Sequence, residues 1–483
     1  MSGNSANPIS LKAHRQLGWL LFGLSLAILM SSIDTSIVNI GLPTIARALH
    51  ASFASVQWIA ISYILVVTTL IVGIGRLGDL LGKRRLFLIG IAGFTLSSLL
   101  CALAPSIGIL IVARAVQGTG GAIIMALPFA LHSDVVPREQ AGWTMGLLTS
   151  MVSLGVALGP ALGGMLIGAW GWPVIFLVNV PLGLLTFYTA WRILPDTPAH
   201  AAGQRFDWPG MLILAAALAC YDLGVTFSEA QGMTLGIIAL LAAALLCTVL
   251  FVVIELHAPS PMLNLRMFRD RLLSASLCMS VLLFAVLVGV GLVLPFILIQ
   301  AERYSMISAG LVMAAGPVAT ALFGIPAGTV AERFGTRPAM IAGTTIMALG
   351  CLLWTTLTPA EGAWGFVWRY AITNGSFALF QTPNNMAVMA NARPDQRGVV
   401  SGLLNLARNL GQMTGTSLMG AVFASFVAAA SGTRLAVTTA PGKALLAGMH
   451  GMFLVAAGMV AASILLSIFT LQRSREARNF IAQ

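Results

Sequence analysis

The chain has 483 residues, of which 58% are hydrophobic and only 8% are charged, and its formal net charge is +11. Average globular chains carry about 25% charged residues, so this composition excludes a soluble protein, because so few charges could not cover its apolar surface. The apolar runs are long and do not alternate, which excludes a membrane β-barrel and favours membrane-crossing helices. The basic residues lie mostly in short loops between these runs, so they indicate membrane orientation rather than nucleic-acid binding.

The apolar runs predict an all-α polytopic membrane protein with fourteen transmembrane helices. The first run is too long for a cleaved signal peptide and is expected to be retained. Most of the 26 Lys and Arg residues fall on the side of the termini, which predicts a plasma (inner) membrane protein with both termini in the cytoplasm. The predicted spans are 17–42, 53–75, 86–104, 107–128, 141–167, 172–194, 208–228, 232–254, 272–299, 307–330, 338–356, 361–384, 397–428 and 446–471.

The chain resembles itself at a shift of about 252 to 256 residues. Spans one to six match spans nine to fourteen, so spans seven and eight are an insertion between two homologous halves. Such duplicated halves are typical of transporters that alternate access to a central site. The predicted segments are a cytoplasmic N-terminus at 1–16, a six-helix half at 17–194, the insertion at 195–262, a second six-helix half at 263–471 and a cytoplasmic tail at 472–483. The matched pairs are Gly75 with Gly328, Asp79 with Glu332, Gly82 with Gly335, Arg84 with Arg337, Arg114 with Arg369, Pro128 with Pro383, Gly155 with Gly411 and Gly159 with Gly415.

Four motifs fall in order in the first half. They are Ile33–Pro43 in span one, Gly75–Arg85 after span two, Arg114–Gly121 in span four and Gly155–Gly164 in span five, and Trp170–Trp172 and Phe176–Gly183 follow them. Together they resemble the major facilitator superfamily, and most closely its fourteen-span drug:proton antiporters. The resemblance covers nearly the whole chain. It implies a proton-coupled antiporter that exports small hydrophobic or cationic compounds, as in multidrug or antibiotic efflux, by alternating access.

Asp34 lies inside span one, with Thr35, Ser36 and Asn39 close by. A central Asp costs about 2.5–3.5 kcal/mol on insertion scales, so such residues usually have a task. Burial favours the neutral form and a nearby cation or water favours the ionised form, which is the alternation that a proton carrier needs. The alternative is a structural carboxyl bonded to neighbouring hydroxyls. The resemblance adds Arg114 as the coupling partner, with structural pairing as its alternative, and Asp222 is a second candidate acid that an interfacial position would make uninformative.

Two predicted gates come from glycine-rich motifs. The resemblance implies a cytoplasmic latch whose ion pairs break and reform, although its basic residues also satisfy the orientation rule. Small residues at i, i+4 and i+8 of span five give a smooth face for close helix packing, and Pro160 is expected to bend that helix or loosen its hydrogen bonds. In the family this face seals the extracellular side, and plain close packing is the alternative. The latch residues are Gly75, Arg76, Asp79, Gly82, Lys83 and Arg84, and the span-five residues are Gly155, Gly159, Pro160, Gly163 and Gly164.

Polar residues inside other spans are candidates for the substrate cavity, and an interhelical hydrogen bond is the alternative for each. The carboxylates of Glu255, Glu302, Glu332 and Glu361 fall at span ends and are predicted to be solvated. The cavity candidates are Asn39, Gln57, Gln117, Arg369, Asn374, Gln381, Asn405 and Arg408.

The sequence predicts no cofactor and no metal site, with the proton as coupling ion. The five cysteines lie in apolar runs without metal-ligand spacing, and no nucleotide-binding P-loop is present. A proton symporter or metabolite exporter on the same fold and a non-transporting membrane sensor remain as alternatives, whereas no nucleophile–base constellation indicates an enzyme. The expected partners are a small-molecule substrate and membrane lipid, and the chain is expected to be monomeric. Some relatives use a periplasmic adaptor, and the sequence leaves that question open.

Overall fold

The computed structural model describes residues 8–51, 53–195, 206–231, 233–258, 261–304, 306–358, 361–431 and 440–481. Within these ranges every regular element is helical, and each of the fourteen predicted spans coincides with a helix or a helix pair. Parts of the predicted segments lie outside the described residues, including 1–7, 196–205 and 432–439, and with them the basic residues Arg205 and Arg434 that were counted for orientation. The main helices are α1 (Pro8–Ala48), α2 (Phe53–Leu81), α3 (Lys83–Ala102), α4 (Ile107–Ala126), α5 (Pro128–Val135), α6 (Ala141–Trp170), α7 (Val174–Leu177), α8 (Asn179–Ile193), α9 (Trp208–Gln231), α10 (Leu235–His257), α11 (Arg271–Pro295), α12 (Met306–Phe334), α13 (Thr336–Trp354), α14 (Gly362–Asn391), α15 (Arg397–Ser431) and α16 (Gly442–Ile481).

Thirteen helical segments of the described chain are long and apolar enough to cross a membrane. The predicted span 361–384 corresponds to α14, which has 30 residues and is therefore long enough to cross, but it is too polar to satisfy the same criterion. Its polar side chains include Arg369, Asn374, Asn384 and Asn385, all of which are buried in the protein. A helix of this composition avoids lipid by burying its polar face among other helices.

The chain divides into two compact units. Unit 1 comprises residues 1–206 together with 392–402, and unit 2 comprises 207–391 together with 403–483. The first residues of α15 therefore belong to unit 1, whereas the rest of that helix belongs to unit 2. The inserted helices α9 and α10 pack against each other in unit 2, and the Tyr221 hydroxyl of α9 is hydrogen-bonded to the Thr414 hydroxyl of α15.

The internal repeat is visible in the packing of each unit. In unit 1, α4 packs on α2 and α3, and α8 packs on α1 and α3. In unit 2, α14 packs on α12 and α13, and α16 packs on α11 and α13, which are the corresponding pairs. The turns before α3 and α13 also match, since Gly82 has φ of 91° and Gly335 has φ of 92°, a left-handed conformation that favours glycine.

Candidate functional site

Glycines bring α4 into close contact with α2, and this contact positions the buried charge of α4. A Cβ atom at Gly118 would lie 2.9 Å from the Tyr63 carbonyl oxygen, and one at Gly121 would lie 2.5 Å from the Tyr63 hydroxyl oxygen. Real Cβ atoms do not approach this closely, so any side chain at either position would push the helices apart. The glycines of the span-four motif therefore bring Arg114, one turn earlier on α4, against α2.

Asp34 and Arg114 form a salt bridge that is almost wholly shielded from solvent. The distance from Arg114 Nη1 to Asp34 Oδ2 is 2.7 Å, and the two side chains are 1% and 0% exposed, respectively. The pairing that the resemblance implied is thus present, although its role in coupling stays a prediction. Removing one member of such a pair is strongly destabilising, at about 3–5 kcal/mol, because an uncompensated charge is left behind.

Arg114 keeps several partners besides Asp34. Its Nε donates to the Ile59 carbonyl at 3.2 Å, and its Nη1 also donates to Gln117 Oε1 at 2.6 Å. The guanidinium carbon lies 4.3 Å from the centre of the Tyr63 ring, a cation–π arrangement. A guanidinium held in this way can remain in place when the charge of Asp34 changes.

Two amides complete the shell around Asp34, and sequence analysis missed one of them. Gln117 Nε2 donates to Asp34 Oδ1 at 3.1 Å, so this cavity candidate belongs to the buried ion-pair cluster. Asn179 Nδ2 donates to the same oxygen at 2.6 Å. Asn179 was missed because 145 residues separate it from Asp34. The sequence signal that could have identified it is the Phe176–Gly183 motif, which contributed to the family resemblance but was assigned no function.

The Phe176–Gly183 motif brings two residues to the cluster and packs α8 against α3. Phe176 on α7 packs its ring 5.6 Å from the Arg114 guanidinium carbon, and Asn179 at the start of α8 reaches Asp34. A Cβ at Gly183 would overlap the side chain of Thr95, so this glycine lets α8 lie close to α3.

This buried cluster surrounds the Asp34 carboxyl with N–H donors. A carboxylate that faces three N–H donors accepts hydrogen bonds in its ionised form. Adding a proton would remove the charge that pairs with Arg114 and leave a donor where an acceptor is needed. A change in protonation at Asp34 would therefore rearrange contacts of α1 with α4 and α8.

The predicted latch residue Asp79 caps the start of α15. Asp79 Oδ1 accepts from the Gly398 amide at 3.0 Å, and Oδ2 accepts from the Val399 amide at 3.2 Å. An anion is stabilised there by unpaired amides and by the helix dipole. Gly75 and Gly398 approach so closely that a Cβ on either would overlap the other's carbonyl oxygen. Sequence analysis identified Asp79 but not its partners on α15.

The ion pairs of this region extend to Asp134, which sequence analysis did not select. Lys83 Nζ lies 3.2 Å from Asp79 Oδ1 and 2.7 Å from Asp134 Oδ2. Arg397 Nη1 lies 2.7 Å from Asp134 Oδ1, so Asp134 joins α3 to the start of α15. Arg76 is also buried, whereas Arg84 donates to the Trp191 carbonyl at 2.7 Å. Gly82 makes the turn between Asp79 and Lys83.

The span-five glycines pack as the spacing of four predicted. Gly155, Gly159 and Gly163 of α6 face α1, where a Cβ would overlap Ser32, Ser36 and Ile37, respectively. Gly164 has nothing within 4 Å of a Cβ position, so it takes no part in this contact. α6 continues through Pro160 without a break. In unit 2 the matching Gly411 and Gly415 of α15 face α11 in the same way.

Arg369 corresponds to Arg114 in the repeat but has a different partner. Its Nη1 donates to Glu361 Oε2 at 2.6 Å, and its Nη2 donates to Glu361 Oε1 at 3.1 Å. Glu361 is exposed, as predicted for a charge at a span end, but the sequence did not indicate its two-pronged ion pair with a buried arginine. The same prediction is wrong for Glu255, which is only 4% exposed and accepts from the Leu263 amide.

The remaining candidates are distributed over both units. Asn39 and Gln57 are exposed, and Gln381 is half-buried. Asn374 is buried and donates to the Tyr370 carbonyl at 3.0 Å, while Asn405 and Arg408 are buried on α15. Of the cavity candidates, Gln117 is the one that the structure places against Asp34 within unit 1.

Asp222 is buried within the protein. It is 3% exposed on α9, and its Oδ1 has no hydrogen-bond partner in the described chain. Burying a carboxyl oxygen without a hydrogen bond costs free energy of folding, so the presence of Asp222 in the inserted helices α9 and α10 calls for an explanation.

Two six-helix repeats in apolar, membrane-length helices, with a charged pair buried in the first repeat, define a polytopic membrane transporter. A model of the Major Facilitator Superfamily matches residues 24–416. The chain belongs to the Major Facilitator Superfamily, as its motifs predicted, and it is a transporter rather than an enzyme.

Relatives with different names match most of the chain. It is 33% identical over 408 residues to the uncharacterized transporter YebQ of Escherichia coli K12, covering 84% of this chain and 88% of that protein. It is 28% identical over 407 residues to the riboflavin transporter RibZ of Clostridioides difficile, with coverages of 84% and 88%. It is 31% identical over 412 residues to the multidrug resistance protein Stp of Mycobacterium tuberculosis, with coverages of 85% and 76%.

A solved structure supports the fold. The human organic anion transporter MFSD10 (TETRAN) superposes with a TM-score of 0.64 at 17% identity, covering 94% of this chain and 99% of that one.

Proposed function

We propose that this transporter is a proton-coupled antiporter that exports small hydrophobic or cationic compounds by alternating access. The observation that carries the proposal is the Asp34–Arg114 pair, at 2.7 Å and almost wholly buried. A carboxylate kept away from water has a proton affinity that depends strongly on its surroundings. Conformations that expose it or separate it from Arg114 would differ in proton affinity, which is the requirement for coupling.

The contact between α1 and α6 is a second observation that supports antiport. Gly155 and Gly159 let these helices touch over the same stretch that carries Asp34, and Ser36 Oγ donates to the Gly155 carbonyl at 3.1 Å. A sealed contact beside the exchange site would oppose a proton leak while that site is occupied. The relative Stp, named a multidrug resistance protein, supports export as the outcome.

The driving force depends on the charge of the substrate. Moving one charge down 100 mV releases about 2.3 kcal/mol. Exchange of one proton for a neutral compound uses this energy, whereas exchange for a monovalent cation moves no net charge and depends on the pH difference alone. A voltage clamp across the vesicle membrane would separate these two substrate classes.

The decisive experiment is transport by purified protein in liposomes with an imposed pH gradient. We expect uphill movement of a lipophilic cationic dye against the proton flux, abolished by Asp34→Asn. The control is Asp395→Asn, which removes a partly exposed carboxylate whose partner Arg393 is 73% exposed. Equal uphill transport by Asp34→Asn, or proton and substrate flux in the same direction, would contradict the proposal.

A second candidate substrate class is a vitamin or similar metabolite, because RibZ is named a riboflavin transporter. The same liposomes, loaded with riboflavin in place of the dye, test it. Riboflavin transport without transport of any cationic compound would favour this alternative.

We also propose a plasma (inner) membrane location with both termini in the cytoplasm and a monomeric protein. The basic latch residues Lys83 and Arg397 would then lie on the cytoplasmic side. Reporter fusions at each terminus test the orientation, since a phosphatase that works only outside the cytoplasm should be inactive at both.

A further inference from the structure

Asn179 is the least constrained member of the shell around Asp34. It is the first residue of α8 and is fully buried. Its Nδ2 lies 2.6 Å from Asp34 Oδ1, the shortest contact of that oxygen with the two amides. Its own Oδ1 has no hydrogen-bond partner in the described chain. A buried amide with one end satisfied and the other empty is unusual, because buried polar atoms normally find partners.

Gln117, the other amide, is fixed at both ends. Its Oε1 accepts from Arg114 Nη1 at 2.6 Å, and its Nε2 donates to Ser98 Oγ at 2.8 Å as well as to Asp34. Turning its amide over would break these contacts. Asn179 can turn over without losing any described bond other than the one to Asp34.

Among the groups that face Asp34, the Asn179 amide is the one that can reverse its orientation. α4 presents the permanent charge of Arg114, α2 presents the Tyr63 phenol, and α3 presents the Cys101 thiol, 3.6 Å from Gln117 Oε1. α6 presents Gly155 and Gly159 to α1. A primary amide can either donate to a carboxylate or accept from a carboxyl O–H without changing its own charge. Asn179 differs from these neighbours because its amide already contacts Asp34 while its own Oδ1 has no partner in the described chain.

We propose that Asn179 is a positioning residue for proton exchange, whose amide donates to Asp34 when that carboxylate is ionised and accepts its O–H when it is protonated. The step is a simple addition: one H⁺ from water binds Asp34 Oδ1, the Asn179 amide rotates by half a turn, and its empty Oδ1 takes the new hydrogen bond. Arg114 keeps its charge and its bonds to Gln117 and Ile59. This inference rests on the proposed function above.

The test is Asn179→Leu, which keeps the branched shape of the side chain but removes both donor and acceptor. The bond to the ionised carboxylate is charge-assisted and therefore stronger than the bond to the protonated form. Losing both should favour proton binding, so the pH dependence of exchange should move to higher pH by about one unit, roughly tenfold in proton concentration. The affinity for substrate should change little. The infrared C=O band of the protonated carboxyl, assigned by its loss in Asp34→Asn, should shift in frequency because its acceptor is gone.

The matched control is Thr186→Val on the same helix. Thr186 is fully buried, and its hydroxyl donates to the Leu182 carbonyl of its own helix at 2.7 Å. We expect this variant to keep the wild-type pH profile and carboxyl band. If Asn179→Leu does not fold, Asn179→Ser, which keeps a shorter donor and acceptor, should show a smaller shift in the same direction.

The outcomes separate the two proposals. Loss of exchange in Asp34→Asn together with an unchanged pH profile and carboxyl band in Asn179→Leu, or in Asn179→Ser where Leu does not fold, overturns the role of Asn179 alone. Proton-driven transport that survives in Asp34→Asn overturns the proposed function, whatever Asn179→Leu does.

Discussion

Arg114 illustrates at the residue scale why a buried charge can be kept. Its guanidinium reaches a carboxylate, an amide and a backbone carbonyl, and it lies over an aromatic ring. These contacts replace much of the hydration that a charged group loses on burial. They also mean that the arginine is held by more than its ion pair.

We expect Arg114→Lys to lower exchange at least tenfold while the protein still folds. Lysine retains the positive charge but lacks the planar fork that reaches Asp34, Gln117 and the Ile59 carbonyl together. Liposome exchange measures the effect, and Arg393→Lys at an exposed ion pair is the control. Exchange at the wild-type rate would mean that charge alone suffices at this position.

Glu361 gives a prediction for stability as a function of pH. It lies just before α14, and its hydrogen bonds with Arg369, followed by one from the Thr358 amide, lower the pKa of Glu361 below its ordinary value of 4.5. A group whose pKa is lowered by folding stabilises the folded state at pH values above its pKa in the unfolded chain. This contribution is lost as the pH falls through its pKa in the folded protein.

Glu361→Gln should therefore have a lower Tm than the wild type at neutral pH. The two Tm values should converge as the pH falls below 4.5, because the wild-type carboxylate then becomes protonated. Thermal unfolding in detergent over this pH range measures the difference, with Glu139→Gln at an exposed site as the control. A Tm difference that stays constant down to acid pH would contradict the ion-pair explanation.

At the scale of elements, the packing of α6 on α1 depends on those of its glycines that contact α1. Gly159→Val should force the side chain into Ser36 and the backbone of Ile37, and overpacking of this kind costs about 1–3 kcal/mol or more. Gly164→Val is the matched control on the same helix, since a Cβ there meets nothing within 4 Å.

Two measurements follow for this pair of variants. The thermal stability in detergent should fall for Gly159→Val and stay near the wild-type value for Gly164→Val. Proton leak through substrate-free liposomes should rise only in Gly159→Val. Equal behaviour of the two variants would show that the α1–α6 contact does not seal the pathway.

The elements were largely predictable from the sequence, whereas their cross-contacts were not. Long apolar runs and the repeat predicted every helix position, and the spacing of four predicted the face formed by Gly155, Gly159 and Gly163. Asn179 and Asp134 were missed because polar residues at helix ends have no periodic signal and their partners lie far away in the chain. The ion pair of Glu361 with Arg369 was missed because the sequence does not show which partner a solvated charge before a helix will have.

At the scale of the whole molecule, Asp222 bears on the number of protons per cycle. It is a second buried acid, it lies in the inserted helix α9 of unit 2, and its Oδ1 has no described partner. We expect Asp222→Asn to transport substrate with a lower proton-to-substrate ratio, because one exchangeable carboxyl is removed. The reversal potential of exchange in liposomes measures this ratio, and an unchanged ratio would leave Asp222 without a part in coupling.

The matching left-handed turns at Gly82 and Gly335 are a shared feature of the two halves, whereas the equivalent arginines Arg114 and Arg369 have different partners. In the first half Arg114 pairs with the buried Asp34, whereas in the second half Arg369 pairs with Glu361 just before α14. A chain engineered from two first halves would contain two buried Asp–Arg pairs and should move twice as many protons for each substrate molecule expelled.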